Sequence, residues 1–147
     1  MANRWWWTPR GRTRGATLIK PNLQEAGLLL GRELRSPEDV PAAGARLLDL
    51  LDALAVLLTR GAAGMTLFRR DREPVHVPAQ ARDVFDVTGS GDTVTATAAM
   101  ALAAGADAEQ AARLASLAVA VIAGRVGTVP ITLAELANAA GSPNGVW

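Results

Sequence analysis

A layered α/β domain is predicted by three features of this chain. Apolar runs of strand length alternate with leucine- and alanine-rich segments of helical spacing, capping signatures precede several of those segments, and glycine-containing turns separate the runs. Ala16–Ile19 reads as a short buried strand that delivers Lys20-Pro21-Asn22 to a loop, and Leu23–Leu30 as a helix closed by Gly31. Ser36–Asp39 offers caps and a proline near a helix start, followed by Ala42–Leu51, whose leucines cover a sheet face. Ala53–Leu58 is a continuous apolar run typical of a strand buried on both faces, and Gly61–Gly64 turns it into a second strand, Met65–Arg69. Asp71–Glu73 makes another turn before an edge strand, Pro74–Val77. After Asp83–Asp86 a helix is expected from Asp92 to Ala104, stopping at Gly105, with small side chains that permit close packing. Asp107 with Gln110 forms a capping box for a helix through Ala123, and Thr132 with Glu135 repeats the device for a short last helix.

Composition removes several function classes. At 147 residues, 50% of them hydrophobic, the chain can bury a single core without a second domain. With no cysteine there is no disulfide framework and no Cys-ligated metal, which fits a reducing cytoplasm. The lone histidine, His76, lies in the alternating PVHVP stretch and reads as a strand residue rather than part of a triad. No apolar run approaches the roughly 18–20 residues of a membrane span, so a soluble protein is expected. Met1–Gln24 carries five basic and no acidic residues, leaving the remainder at a net of minus four. A solvated terminus explains that better than nucleic-acid binding, because the charge is confined to a short segment.

The densest chemistry lies in DVTGSGDTVTA, Asp86–Ala96. Gly89 and Gly91 let backbone N–H groups approach a ligand at a helix entrance, where the first amides lack internal partners and favour an anion. Asp92 stands beside them, able to cap amides or to take a proton from a hydroxyl that attacks phosphorus. A capped loop-to-helix junction is the plainer reading of Gly89–Asp92 taken alone.

With its flanks, the segment resembles the C-terminal signature of the ribokinase-like (PfkB) carbohydrate kinases. Three further segments agree in order: KPNLQEA (Lys20–Ala26) is similar to the Asn-x-x-Glu element, LLTRGAAGMTLF (Leu57–Phe68) to the Thr-x-Gly-x-x-Gly hairpin, and AGRVGTVP (Ala123–Pro130) to the Gly-Thr segment near the C-terminal end. The resemblance spans roughly Ala16–Ala139. It implies the C-terminal portion of a ribokinase-like α/β/α sandwich at residues 16–140, a basic, Trp-rich stretch at 1–15 that is disordered or aberrant, and a tail at 141–147.

The same resemblance implies roles. Asp92 becomes the catalytic base, and the amides of Gly89, Ser90 and Gly91 the anion hole for the γ-phosphate of ATP. Asn22 and Glu25 match the element associated with the Mg²⁺–phosphate region, as hard oxygen donors acting directly or through water. A loop Asn and a solvent-facing helical Glu are the alternative. Thr59, Gly61 and Gly64 line the nucleotide side, or form an ordinary tight hairpin. Gly127 and Thr128 map near the adenine pocket, and Asp86 and Thr88 either help bind a monovalent cation or only shape the turn. Two departures bear on nucleotide affinity: Ser116 stands where many relatives have asparagine, and Ala120 replaces a nearby glycine.

Family members are roughly twice this long, and the half absent here carries the sugar site, several strands and the lid. An exposed edge and an uncovered sheet face are therefore expected, met by a homodimer or by a partner that supplies the missing half. WWWTPRG precedes GATLIKPN where heptose-phosphate kinases often carry a hydrophobic strand and Asp-Pro-Lys/Arg-Gly. Trp5–Thr8 is then a frame-shifted reading of Val-Val-Val-Asp, or else an aromatic cluster that packs or binds a partner. The function implied is ATP-dependent phosphoryl transfer to a sugar or sugar-phosphate hydroxyl, closest to heptose 7-phosphate kinases of ADP-heptose synthesis. The alternative is a non-catalytic nucleotide-binding fragment or pseudokinase.

Overall fold

Helix α1 (Leu23–Leu30) opens on a reciprocal capping box and closes at Gly31, whose left-handed backbone turns the chain out of the helix. The computed structural model describes residues 13–80, 89–123 and 130–141. Expectations at Trp5–Thr8, Asp83–Thr88 and Gly127–Thr128 lie outside these residues. The remaining elements are α2 (Asp39–Leu51), β1 (Ala55–Thr59), a 3₁₀ turn (Gly61–Ala63), β2 (Met65–Arg69), β3 (Val75–Val77), α3 (Ser90–Ala103), α4 (Ala108–Ile122) and α5 (Leu133–Ala140). The strands form one sheet in the order β1-β2-β3. By contact density the chain divides into two units, residues through Leu58 with Phe68–Pro74, and Thr59–Leu67 with the residues from Val75 onward.

In the first unit α2 presents Val40, Ala43, Leu47, Leu48 and Leu51 as a buried stripe at helical spacing. Val40, Leu47, Leu48 and Leu51 join Val56, Leu58 and Phe68 in one core, with Ile19, Leu23 and Leu30 packed against it. The helix starts three residues before the predicted Ala42, because Pro41 is tolerated in a first turn that needs no donor there. The Asp39 carboxylate accepts the N–H groups of Ser36 and Arg35, each at 3.1 Å. Those bonds, first to Ser36 and then to Arg35, with Arg32 nearby, hold its carboxyl below the ordinary value of 3.8.

The expected strand Ala16–Ile19 is reduced to a single parallel bridge, Ile19 to Val56. Ile19 donates to the Ala55 carbonyl at 3.0 Å, and Leu57 donates back to Ile19 at 2.8 Å. Residue 21 is a proline without an N–H, so it donates no ladder bond on that side.

In the second unit β2 and β3 are antiparallel, with Met65 opposite Val77, Thr66 opposite His76 and Leu67 opposite Val75. His76 is an exposed strand residue, as expected. Helix α4 packs along α3 and also meets α5 and β3. Val94, Thr97, Ala98 and Ala101 are the buried residues of α3, and Ala111, Ala112, Ala115 and Ala118 are among those of α4; these small side chains let the two backbones approach closely. The boxes at Asp107/Gln110 and Thr132/Glu135 form as predicted. Among the described residues no helix is long and apolar enough to cross a membrane.

Candidate functional site

The entrance of α3 is set by Gly89, which acts as N-cap at φ 82 and offers no side chain of its own. Its carbonyl accepts the Thr93 N–H at 3.0 Å and so closes the first turn. The helix therefore begins at Ser90, two residues before the predicted start, and Asp92 falls inside the first turn instead of at its edge. Gly91, with no Cβ, and Ser90 precede it there. The positive end of the helix dipole makes this a favourable place for the Asp92 carboxylate and for a ligand anion alike. Asp92 is exposed, and its carboxylate takes no hydrogen bond among the described residues. The hydroxyls of Thr93 and Thr95 are already committed, bonding back to the Gly89 and Gly91 carbonyls at 3.1 and 2.9 Å.

In the same unit, Thr59 ends β1 half-buried and Gly61 stands exposed in the 3₁₀ turn that follows. Arg60 donates its N–H to Gly64 at 2.8 Å, and its guanidinium reaches the Thr66 hydroxyl at 3.2 Å. Sequence reasoning passed over this half-buried cation; its place between Thr59 and Gly61 was the available signal. Gly64 is buried with φ 79, and a Cβ there would stand 2.3 Å from the Val77 carbonyl and 2.7 Å from the Ala79 nitrogen. The chain leaving β3 thus passes directly over the hairpin. Ser116, 4% exposed on α4, donates its hydroxyl to the Pro78 carbonyl at 3.0 Å.

Asn22 and Glu25 lie in the first unit. Asn22 Oδ1 accepts the Glu25 N–H, and Glu25 Oε2 accepts the Asn22 N–H, both at 2.8 Å. The pair that reads as a metal element in sequence is, in the structure, the capping box of α1. Among the described residues no group of three or more His, Asp or Glu side chains could hold a metal ion. Glu25 Oε1 takes no part in the box. A single carboxylate oxygen of that kind suits Mg²⁺, which keeps most of its waters and leans on substrate phosphates.

Comparison with known proteins identifies the family and the fold. The sequence pattern of the pfkB family carbohydrate kinases matches residues 10–134. The bifunctional protein HldE of Azotobacter vinelandii is 49% identical over 146 residues, which cover 94% of this chain and 31% of that protein. HldE of Caulobacter vibrioides is 50% identical over 135 residues, covering 91% and 28% respectively. The chain thus spans about a third of the length of these relatives, as the 31% and 28% coverages state. Among solved structures, Arabidopsis thaliana ribokinase complexed with ribose and ATP superposes with a TM-score of 0.76 at 27% identity, covering 86% of this chain and 41% of that one. Thermotoga maritima ribokinase gives a TM-score of 0.71 at 26% identity, covering 83% and 41%. The fold expected from sequence, a ribokinase-like α/β fold, is the fold observed.

Proposed function

This chain belongs to the pfkB family of carbohydrate kinases, and on that premise we propose that it carries the phosphoryl-transfer turn of an ATP-dependent sugar-phosphate kinase. The observation that carries the proposal is the entrance of α3, with a glycine at positive φ as N-cap and, inside the first turn, a second glycine followed directly by an exposed carboxylate. The Asp92 carboxylate takes the proton of the acceptor hydroxyl, the resulting oxygen bonds to the γ-phosphorus, and the bond to the β-phosphate oxygen breaks to release ADP. Backbone amides of Gly89, Ser90 and Gly91 face the charge on the transferred group. The acceptor class is heptose 7-phosphate, the branch that the KPNLQEA, DVTGSGDTV and GRVGT segments resemble. Thr59, Gly61 and Gly64 lie on the nucleotide side, and residues 16–140 form the nucleotide-binding half. Glu25, through Oε1 or water, is the candidate on this chain for holding Mg²⁺, which when bound neutralises phosphate charge.

ADP release from Mg-ATP is to be measured with a panel of sugar phosphates. Release that requires heptose 7-phosphate is expected; ATP hydrolysis indifferent to every acceptor argues against the assignment. The 31% coverage of HldE favours a second reading, a nucleotide-binding fragment whose acceptor site lies elsewhere. Nucleotide binding without turnover on any acceptor is its outcome.

A further inference from the structure

Polar side chains of helices usually settle their hydrogen bonds locally. Thr93 and Thr95 do so, each returning its hydroxyl to the carbonyl four residues earlier. Ser116 does not: its hydroxyl crosses 38 positions of sequence to the Pro78 carbonyl, at 3.0 Å and with the residue only 4% exposed. Pro78 follows the last residue of β3, and its ring nitrogen has no N–H with which to extend the ladder. This short backbone stretch is held from two sides. Gly64 lets Val77–Ala79 lie against the hairpin at a distance no Cβ would permit, and Ser116 fixes Pro78 from α4. Helix α4 also packs along α3, whose first turn carries Asp92.

We propose that Ser116 is a positioning residue of the phosphoryl-transfer site, its hydroxyl fixing the chain where it leaves β3 against the Gly64 hairpin. It touches no reacting atom. It sets the place of the backbone at Pro78 relative to the nucleotide-side hairpin and to α4. The proposal rests on the kinase reading of the α3 turn. The single donor of the Ser116 side chain is spent on the protein's own backbone.

The wild-type chain, Ser116→Ala and Ser116→Thr are compared by two measurements, at a temperature where circular dichroism finds the wild type and Ser116→Ala folded. Calorimetric titration with magnesium adenylyl imidodiphosphate reads affinity, and hydrogen–deuterium exchange of the Val75–Gln80 peptide reads the tether. Ser116→Ala is expected to weaken the probe about two- to tenfold, the effect of losing one buried hydrogen bond, and to speed exchange in that peptide. Ser116→Thr, which keeps the hydroxyl, restores both. A role in stability alone lowers the melting temperature and leaves affinity unchanged, and that result overturns the proposal. So does a weakening that folded Ser116→Thr fails to reverse; if the threonine variant does not fold, the alanine variant decides. Should the wild type not bind the probe, the kinase reading fails separately. The exchange arm then still decides whether Ser116 holds Pro78, and equal exchange in wild type and Ser116→Ala overturns it.

Discussion

Gly89 stands at φ 82, where an L side chain is strained, so substitution there separates the shape of the α3 turn from its charge. Gly89→Ala is expected to cost about 1–2 kcal/mol in urea unfolding, the strain of one left-handed non-glycine residue. The Asn22–Glu25 pair poses the opposite problem, because one pair of side chains has a structural duty and a proposed chemical one. Asn22→Ser keeps a cap of equal rank and is expected to hold stability to within about 0.5 kcal/mol, whereas Asn22→Ala loses about 1 kcal/mol. If the amide also serves the metal–phosphate region, Asn22→Ser raises the Mg²⁺ concentration needed for nucleotide binding while stability stays put. An unchanged Mg²⁺ requirement assigns Asn22 to the cap alone.

Among the elements, α2 supplies a charge whose effect on stability has a definite sign. Asp39 accepts two backbone N–H groups ahead of the helix, and its carboxyl is held below its ordinary value. Its stabilisation is therefore complete above the unfolded-state value and is lost as pH falls through the lower folded one. Asp39→Asn is expected to flatten the decline in stability below pH about 4 seen in acid titration of the wild type. An identical acid limb in both proteins removes Asp39 from the account. Element identity was legible from sequence because apolar spacing and caps agree along the chain, as at Leu23–Leu30 and the two boxes at Asp107 and Thr132. Boundaries slipped where backbone chemistry acts over one residue. Of the expected first strand, Ile19 pairs in a bridge to Val56, and Gly89 drew α3 forward by two residues. The candidate site was legible as a motif, but the tether from Ser116 to Pro78 was not, since no local pattern joins residues 38 apart.

At the scale of the whole chain, large apolar side chains remain outside. Leu28 is 69% exposed, Leu54 60%, Met100 54% and Leu133 76%. Their neighbours Leu29 and Leu30 are partly buried against the first unit's core, which a run of leucines could not foretell. The chain covers 41% of Arabidopsis ribokinase and 31% of Azotobacter HldE, so most of the length of each lies outside the match. What the chain itself contributes is the α3 turn, and phosphate transfer from γ-labelled ATP to heptose 7-phosphate measures that contribution most directly. Wild type should form labelled sugar bisphosphate. Asp92→Asn should lower the rate by about 10²- to 10⁴-fold, the share of a positioned general base, while nucleotide affinity is retained. Equal transfer by the two proteins, or none by the wild type with acceptor and Mg-ATP saturating, contradicts the assignment of phosphoryl transfer to this turn.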